Sequence, residues 1–264
     1  MIIAAGIFCA MHTANGRVCG IVLFIASLSF VHPKVIQSTT TWTWRRQITH
    51  DDKLPPDADM TSAINTATRR QCALSCLTVE WCNTFFYHGF EEKCLHHRMT
   101  YIASPNGWGP SPGLRYYRLE SASACPRDKN YVIDRPTSTC YRLDLSLKNW
   151  VNALDACADN NETLVVLEPV EKASFIESFI RASRDLTVDG VYIGAKQLPG
   201  VSDIEWINGE PVNITATRSL WVPTTDFTRV EPDGIILLRR IKNFQWSIAR
   251  SHFEIHFICE RPFE

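Results

Sequence analysis

Ten cysteines in a chain of 264 residues set the terms on which it can fold. That count is high for a reducing cytosol and ordinary for a secreted protein. Cys9 and Cys19 lie at the N-terminus, beside or within the uncharged apolar run Val18–Val31. The run has 14 residues, whereas a spanning helix needs about 20. Ser27 and Ser29 place small residues at the −3 and −1 positions of a cleavage site. Residues 1–29 therefore read as a signal peptide and the mature protein as secreted. An uncleaved type II membrane anchor is the alternative, and the membrane is a partner only in that case. Cleavage removes Cys9 and Cys19, so the even set that a disulfide framework requires remains between Cys72 and Cys259.

The stretch Asn149–Leu167 organises the second half of the chain. Leu147, Trp150, Leu154 and Cys157 recur at helical spacing, and Ser146 stands where an N-cap should. The polar turn Asp159-Asn160-Asn161 ends this helix, and Leu164–Leu167 follows as a buried strand. Cys157 has no neighbouring cysteine on its helix. Cys259, in the final strand His256–Glu260, is the distant partner that it needs. The chain-entropy model values a loop of that length at roughly 4–5 kcal/mol. Further on, Glu168-Pro169 opens a second helix with Pro169 at its first position. Ala173, Ile176, Phe179 and Ile180 form the apolar stripe of that helix.

In the first half, Thr39–Asp59 starts as an alternating strand and becomes polar loop. Arg69–Leu77 reads as a short helix with Cys72 and Cys76 on one face. Cys82, the aromatic strand Phe85-Phe86-Tyr87 and Cys94 follow. Four close cysteines in an oxidising compartment read as a two-disulfide staple. Zinc favours paired C-x2-C knuckles, which are absent. Cys125 and Cys140 flank Tyr131–Ile133 and a Pro136-Thr-Ser turn, the pattern of a hairpin.

Two resemblances follow from these residues. Trp150, Cys157, Leu164–Leu167, Tyr192-Ile193-Gly194, Trp206, Gly209, Trp246 and Phe257-Ile258-Cys259-Glu260 resemble a C-type lectin-like domain spanning 125–264. The spacing C-x3-C-x5-C-x11-C, with its aromatic strand, resembles a short PAN or apple domain spanning 40–120 and closed by Tyr116–Leu119. Ser121–Ala124 joins the two. The resemblances imply an α+β fold of two disulfide-stapled domains, a helix-on-sheet module and a long-form lectin-like domain. They also imply the pairs Cys72–Cys94, Cys76–Cys82, Cys125–Cys140 and Cys157–Cys259. Residues 195–240 would be the long loop in which this family binds ligands.

Catalysis is not expected. Gly109-Pro110-Ser111-Pro112-Gly113 matches G-x-S-x-G, but Pro112 lacks the N–H that an oxyanion hole needs after the serine. His252 and His256 read as one strand, which holds their rings about 13 Å apart at ~3.3 Å per residue. A net charge of −1 without a basic stripe excludes nucleic acid. Asn161 and Asn213 head N-glycosylation sequons.

Sugar-binding members of the lectin family hold calcium through oxygen ligands. Their loop tripeptide, Glu-Pro-Asn or Gln-Pro-Asp, falls after Trp221, where Pro223–Asp226 supplies only Asp226. Their Asn-Asp pair falls after Trp246, where Ser247-Ile248 stands. Glu231-Pro232-Asp233 resembles the tripeptide, but it runs directly into the strand Ile235–Leu238 and so takes a later acidic position. The family's inner disulfide would join Gly234 to about Ser251, and both lack cysteine. Packing of Trp206, Trp221 and Trp246 is left to brace the loop. The resemblance thus implies a glycan or protein ligand at Trp221, Asp226, Glu231, Asp233 and Trp246, with no cofactor. Calcium-dependent sugar binding through Asp226, Glu231 and Asp233 is one alternative. A structural or adhesive role of the PAN-like module is another.

Overall fold

The structure, a computed structural model, describes residues 42–55, 60–101, 108–121, 124–126, 129–183 and 186–263. Residues 1–29, read above as a signal peptide, lie outside the described residues. Among the described residues no helix is long and apolar enough to cross a membrane.

The first half is a five-stranded sheet carrying one helix. The strands are β1 (Thr43–Arg46), β3 (Met60–Asn65), β4 (Thr84–His88), β5 (Lys93–His97) and β7 (Leu114–Glu120), in the order β1-β7-β4-β5-β3. The helix α1 (Arg69–Thr78) starts at a capping box. The Thr68 hydroxyl accepts from the Gln71 amide, and the Gln71 side chain accepts from the Thr68 amide. Cys72 and Cys76 face the sheet and are fully buried. Disulfides tie Cys72 to Cys94 on β5 and Cys76 to Cys82 just beyond the helix. Alternation along β4 sends Phe85 beneath the helix, stacked on Tyr117 at 4.8 Å, and Phe86 to the opposite face. Gly109–Pro110 (β6) pairs with Lys53–Leu54 (β2), so the G-x-S-x-G stretch is a short strand and a turn, without a nucleophile elbow.

The second half is built on a larger sheet. Its strands are β8 (Val132–Asp134), β9 (Thr139–Lys148), β11 (Val191–Gln197), β13 (Gly234–Arg239), β14 (Gln245–Arg250) and β15 (Ile255–Pro262), in the order β14-β13-β11-β15-β9-β8. Short β10 (Thr163–Leu164) pairs with β15, and β12 (Ile204–Trp206) pairs with β11. Its two longer helices are α2 (Trp150–Ala158) and α3 (Glu171–Ser183). Cys157 on α2 is bonded to Cys259 on β15, and Cys125–Cys140 closes the β8–β9 hairpin. These four bonds are the pairs that the resemblances imply.

Several local expectations are corrected. Ser146 is not the cap of α2, because β9 runs on to Lys148, opposite Ile255. Its hydroxyl bonds to Asp144, and Asn149 caps the helix by accepting from the Asn152 amide at 2.9 Å. Leu147 consequently sits on the strand, 43 % exposed, and Ala153 takes its place on the buried helix face. Pro169 precedes α3 rather than starting it; its carbonyl accepts from Lys172 in a preliminary turn. Val165–Leu167 are buried beyond the end of β10: Val165 still donates to the Ile258 carbonyl of β15, but Val166 donates to the Glu260 carboxylate instead of a ladder carbonyl. His252 lies in an exposed turn and His256 is buried in β15, accepting at Nε2 from the Thr187 amide, so the two do not share a strand.

The halves meet through one apolar core. Phe86, Leu95 and Tyr116 from the first sheet belong to the same buried cluster as Val132, Tyr141, Val165 and Phe175 from the second half. Polar contacts fix the junction. The Arg98 guanidinium lies over the Phe175 ring at 5.3 Å. Arg135, in the β8–β9 turn, reaches back to the end of α1 and donates to the carbonyls of Cys76, Leu77, Val79 and Cys82 at 2.9–3.4 Å. The last carbonyls of a helix lack intrahelical donors, and a cation there also meets the negative end of the helix dipole.

Arg135→Ala should therefore destabilise the protein by about 2–3 kcal/mol in urea unfolding, through loss of the charged hydrogen bonds to these four carbonyls, of which, among the described residues, only those of Cys76 and Val79 keep a backbone donor. Arg135→Lys should recover little, because a single ammonium cannot reproduce the planar fork. An unchanged unfolding midpoint for the alanine variant would contradict this account of the junction.

Candidate functional site

The long-loop region begins where β11 turns back into β12 and ends where Gly234 opens β13. Its aromatic anchors come first. Trp206 is fully buried at the end of β12 and meets Trp246 of β14 edge to face at 5.7 Å. Asn213 caps α4 (Ile214–Thr217), accepting from the Ala216 amide. Thr217 in turn accepts from the Trp221 indole at 3.1 Å. Trp221 packs on Trp246 at 5.4 Å, and the Val222 amide donates to the Trp246 carbonyl. Phe227 closes the set against Trp221 at 4.9 Å, with the Arg218 guanidinium over its ring at 4.6 Å.

Polar contacts fix the returning segment. Gln197, buried at the end of β11, donates to the Arg229 carbonyl at 2.8 Å and accepts from the Glu231 amide at 3.0 Å. A Cβ at position 234 would overlap the Gln197 carboxamide oxygen, so glycine is required for this approach. Gly234 pairs with Arg250, one residue from the Ser251 expected as its partner. Glu231-Pro232-Asp233 therefore lies directly before the strand, as its register predicts.

The cavity of this region holds about 230 Å³ and lies against the β13–β14 hairpin. Asp226 and Glu231, both singled out from sequence, line it together. Asp226 folds back in an Asx turn, where Oδ1 accepts from the Thr228 hydroxyl and amide at 2.7 and 2.9 Å. These bonds hold its carboxyl below the ordinary aspartate range. Glu231 pairs with Arg229 at 2.6 Å and lies 3.9 Å from Arg250. Asp233 is exposed in a turn with φ 55° and does not line the cavity. Trp221 and Trp246 are each 2 % exposed and do not line the cavity, so they brace the loop and are not available to a ligand.

Arg229, Arg239 and Lys242 line the cavity too, beside Ser247 and Ile248. Sequence reasoning missed these three cations. For Arg239 and Lys242 the signal was present in Arg239-Arg240-Ile241-Lys242, at the end of the apolar strand, but only folding shows which side chains of that run reach the cavity. Asp189 grips Arg239 through Nε and Nη2 at 3.1 and 2.7 Å and accepts the Ile241 amide at 2.7 Å, which fixes the turn carrying Lys242. With both carboxylates engaged, the hydrogen-bonding capacity left to the cavity is mostly donor. The two groups of metal-type side chains among the described residues, Cys72/Cys94/His96 and Cys157/Glu162/Cys259, consist of disulfide-bonded sulfurs plus one further residue each, so they offer no thiolate pair. Asn161 and Asn213 are both exposed.

Residues 146–261 match the family model described as the lectin C-type domain. Among curated proteins, the chain is 24 % identical over 140 residues to C-type lectin domain family 4 member M of Pan troglodytes, covering 52 % of this chain and 28 % of that protein. It is 24 % identical over 94 residues to CD209 antigen-like protein D of Mus musculus, covering 36 % of each. The chain thus spans about a third of the length of the curated relatives it matches. Among solved structures, human lithostathine is similar at 22 % identity and TM-score 0.45, covering 52 % of this chain and 90 % of that one. The cow CD23 carbohydrate-recognition domain is similar at 20 % identity and TM-score 0.43, covering 54 % and 98 %.

Gln197→Ala should free the end of the long loop. It should cost about 1–2 kcal/mol in global stability, from two buried hydrogen bonds. Amide exchange at Glu231 should accelerate about tenfold or more, while Phe257 in β15 stays protected. Unchanged exchange at Glu231, measured by hydrogen–deuterium exchange mass spectrometry, would show that Gln197 does not hold the loop.

Proposed function

We propose, proceeding from the C-type lectin domain in residues 146–261, that this is an extracellular recognition protein that binds a glycan or protein ligand at the long-loop surface, without calcium and without catalysis. The pairing of the cavity's carboxylates is the observation that carries the calcium-free reading. A calcium ion takes 6–8 oxygen ligands at about 2.3–2.6 Å. Glu231 is committed to Arg229 at 2.6 Å, one Asp226 oxygen is committed to Thr228, and Asp233 points elsewhere. Ile248 offers no oxygen at the position where a second ligand set would lie, and Arg229, Arg239 and Lys242 surround the space with positive charge. These residues do not fit a hard cation.

The extracellular reading is supported by four disulfides and by two exposed sequon asparagines, Asn161 and Asn213, which are the proposed glycosylation sites. Secretion after removal of residues 1–29 is the form we favour over a type II anchor. The first half, with its helix tied to a sheet by Cys72–Cys94 and Cys76–Cys82, supports assignment of 40–120 as a PAN or apple module. The shared core packs that module against the lectin domain.

A protein ligand is the second reading, and a more apolar cavity of about 450 Å³ supports it, where Leu198, Ile204, Pro211, Val212, Ile214 and Phe227 lie beside Ser202, Asp203 and Glu205.

Capture of ligands from a glycan array and a panel of extracellular proteins, with calcium or with excess EDTA, tests the reading. The same ligands should be retained at the same strength in both conditions. Loss of all binding in EDTA would overturn the calcium-free mode, and loss of binding on deleting residues 40–120 alone would move the function to the first half.

A further inference from the structure

We infer that the cavity over β13 and β14 is a subsite for the acidic group of a saccharide, a carboxylate or a sulfate ester; this rests on the proposed recognition function and names its ligand class. The cavity wall carries three cations, Arg229, Arg239 and Lys242, against two carboxylates, Asp226 and Glu231. Each carboxylate is already engaged through one oxygen. Glu231 holds Arg229 through Nε at 2.6 Å, and Asp226 accepts twice from Thr228.

The cations are less completely used. Arg229, 65 % exposed in its side chain, keeps both Nη groups beyond its bond to Glu231. Arg239 is gripped by Asp189 along one edge, which leaves Nη1 as its spare donor and fixes the plane of the guanidinium. Lys242 is exposed at the end of the turn that Asp189 orders through the Ile241 amide, and it makes no ion pair among the described residues. An ammonium and two guanidinium edges around one small cavity suit an anion with two or three acceptor oxygens. A neutral hydroxyl would leave most of these donors without an acceptor.

The rest of the wall argues for a sugar as the carrier of the anion. The Thr224, Thr225 and Ser247 hydroxyls can both donate and accept, as sugar hydroxyls require. Val222 and Ile248 provide short apolar surfaces for the C–H face of a ring. At about 230 Å³ the cavity is smaller than the roughly 300–1,000 Å³ of a drug-sized site, which suits a single ring better than a peptide segment.

The test is titration of the disulfide-bonded protein, in EDTA, with fluorescent oligosaccharides in three arms, uronate-containing, sulfated and neutral. An acidic peptide serves as a further arm. Lys242→Glu is compared with wild type, and Lys93→Glu, an exposed lysine of β5 outside the cavity, is the control for a change in net charge. Matched thermal melts establish that both variants fold. Expected is binding of at least one acidic saccharide over the neutral arm, weakened by salt, reduced about tenfold or more by Lys242→Glu and unchanged by Lys93→Glu. The stronger of the uronate and sulfate arms then identifies the anion. Equal binding of the neutral arm, or indifference to Lys242→Glu, overturns the inference while calcium-independent recognition stands. Binding of the peptide alone overturns the saccharide assignment. Sugar binding that appears only when calcium replaces EDTA overturns both the inference and the calcium-free function.

Discussion

Trp246 holds the second half of this protein together at the place where regular structure is scarcest. Its ring meets Trp206 at 5.7 Å and Trp221 at 5.4 Å, and its carbonyl accepts the Val222 amide. Buried aromatic pairs of this kind contribute about 0.5–1.5 kcal/mol each beyond their area. The excursion from β12 to β13 has one short helix, one 3-10 turn and no disulfide of its own. It is positioned because these rings fix its middle and Gln197 fixes its end. The cavity follows directly, since Val222, Ser247 and Ile248, which line it, are held by their tryptophan neighbours, and Arg229 and Glu231 belong to the segment that Gln197 clamps.

That bracing also explains the electrostatics of the site. A loop held by a bound cation needs free carboxylates pointed at a common centre. Here, aromatic packing and backbone hydrogen bonds already do the positioning, and the acidic side chains are turned to other partners. Asp226 stabilises its own turn through Thr228, and Glu231 neutralises Arg229. Arginine and lysine can then line the cavity without opposing an ion that the fold requires.

Much of the fold was legible in the sequence, because disulfides and periodic apolar faces leave few choices. Cys72 and Cys76 at one-turn spacing read as a helix face, and Cys157 could be satisfied only at a distance. Ser146 misled because cap preference is local, whereas β9 is extended by pairing with Ile255 on a strand more than a hundred residues away. The junction was illegible for a similar reason. Nothing near Arg135 announces that its guanidinium caps a helix some 60 positions earlier. Within the site, Asp226 and Glu231 were found as oxygen donors. Arg239 and Lys242 were passed over, since a run of basic residues after a strand usually faces solvent. Trp221 and Trp246 were read as ligand contacts from their place in the loop, and their burial makes them supports.

The claim on which the rest depends is that packing, not a metal ion, holds the long loop in place. The most direct measurement is the thermal unfolding midpoint of the disulfide-bonded protein, taken in EDTA and again as calcium is raised to millimolar levels. The aromatic bracing predicts superimposable curves, because a loop held by packing, as proposed, gains nothing from the ion that the unfolded chain would not. A rise of about 5–10 °C, the shift expected when an ion at a hundredfold its Kd binds only the folded form of a domain this size, would contradict it.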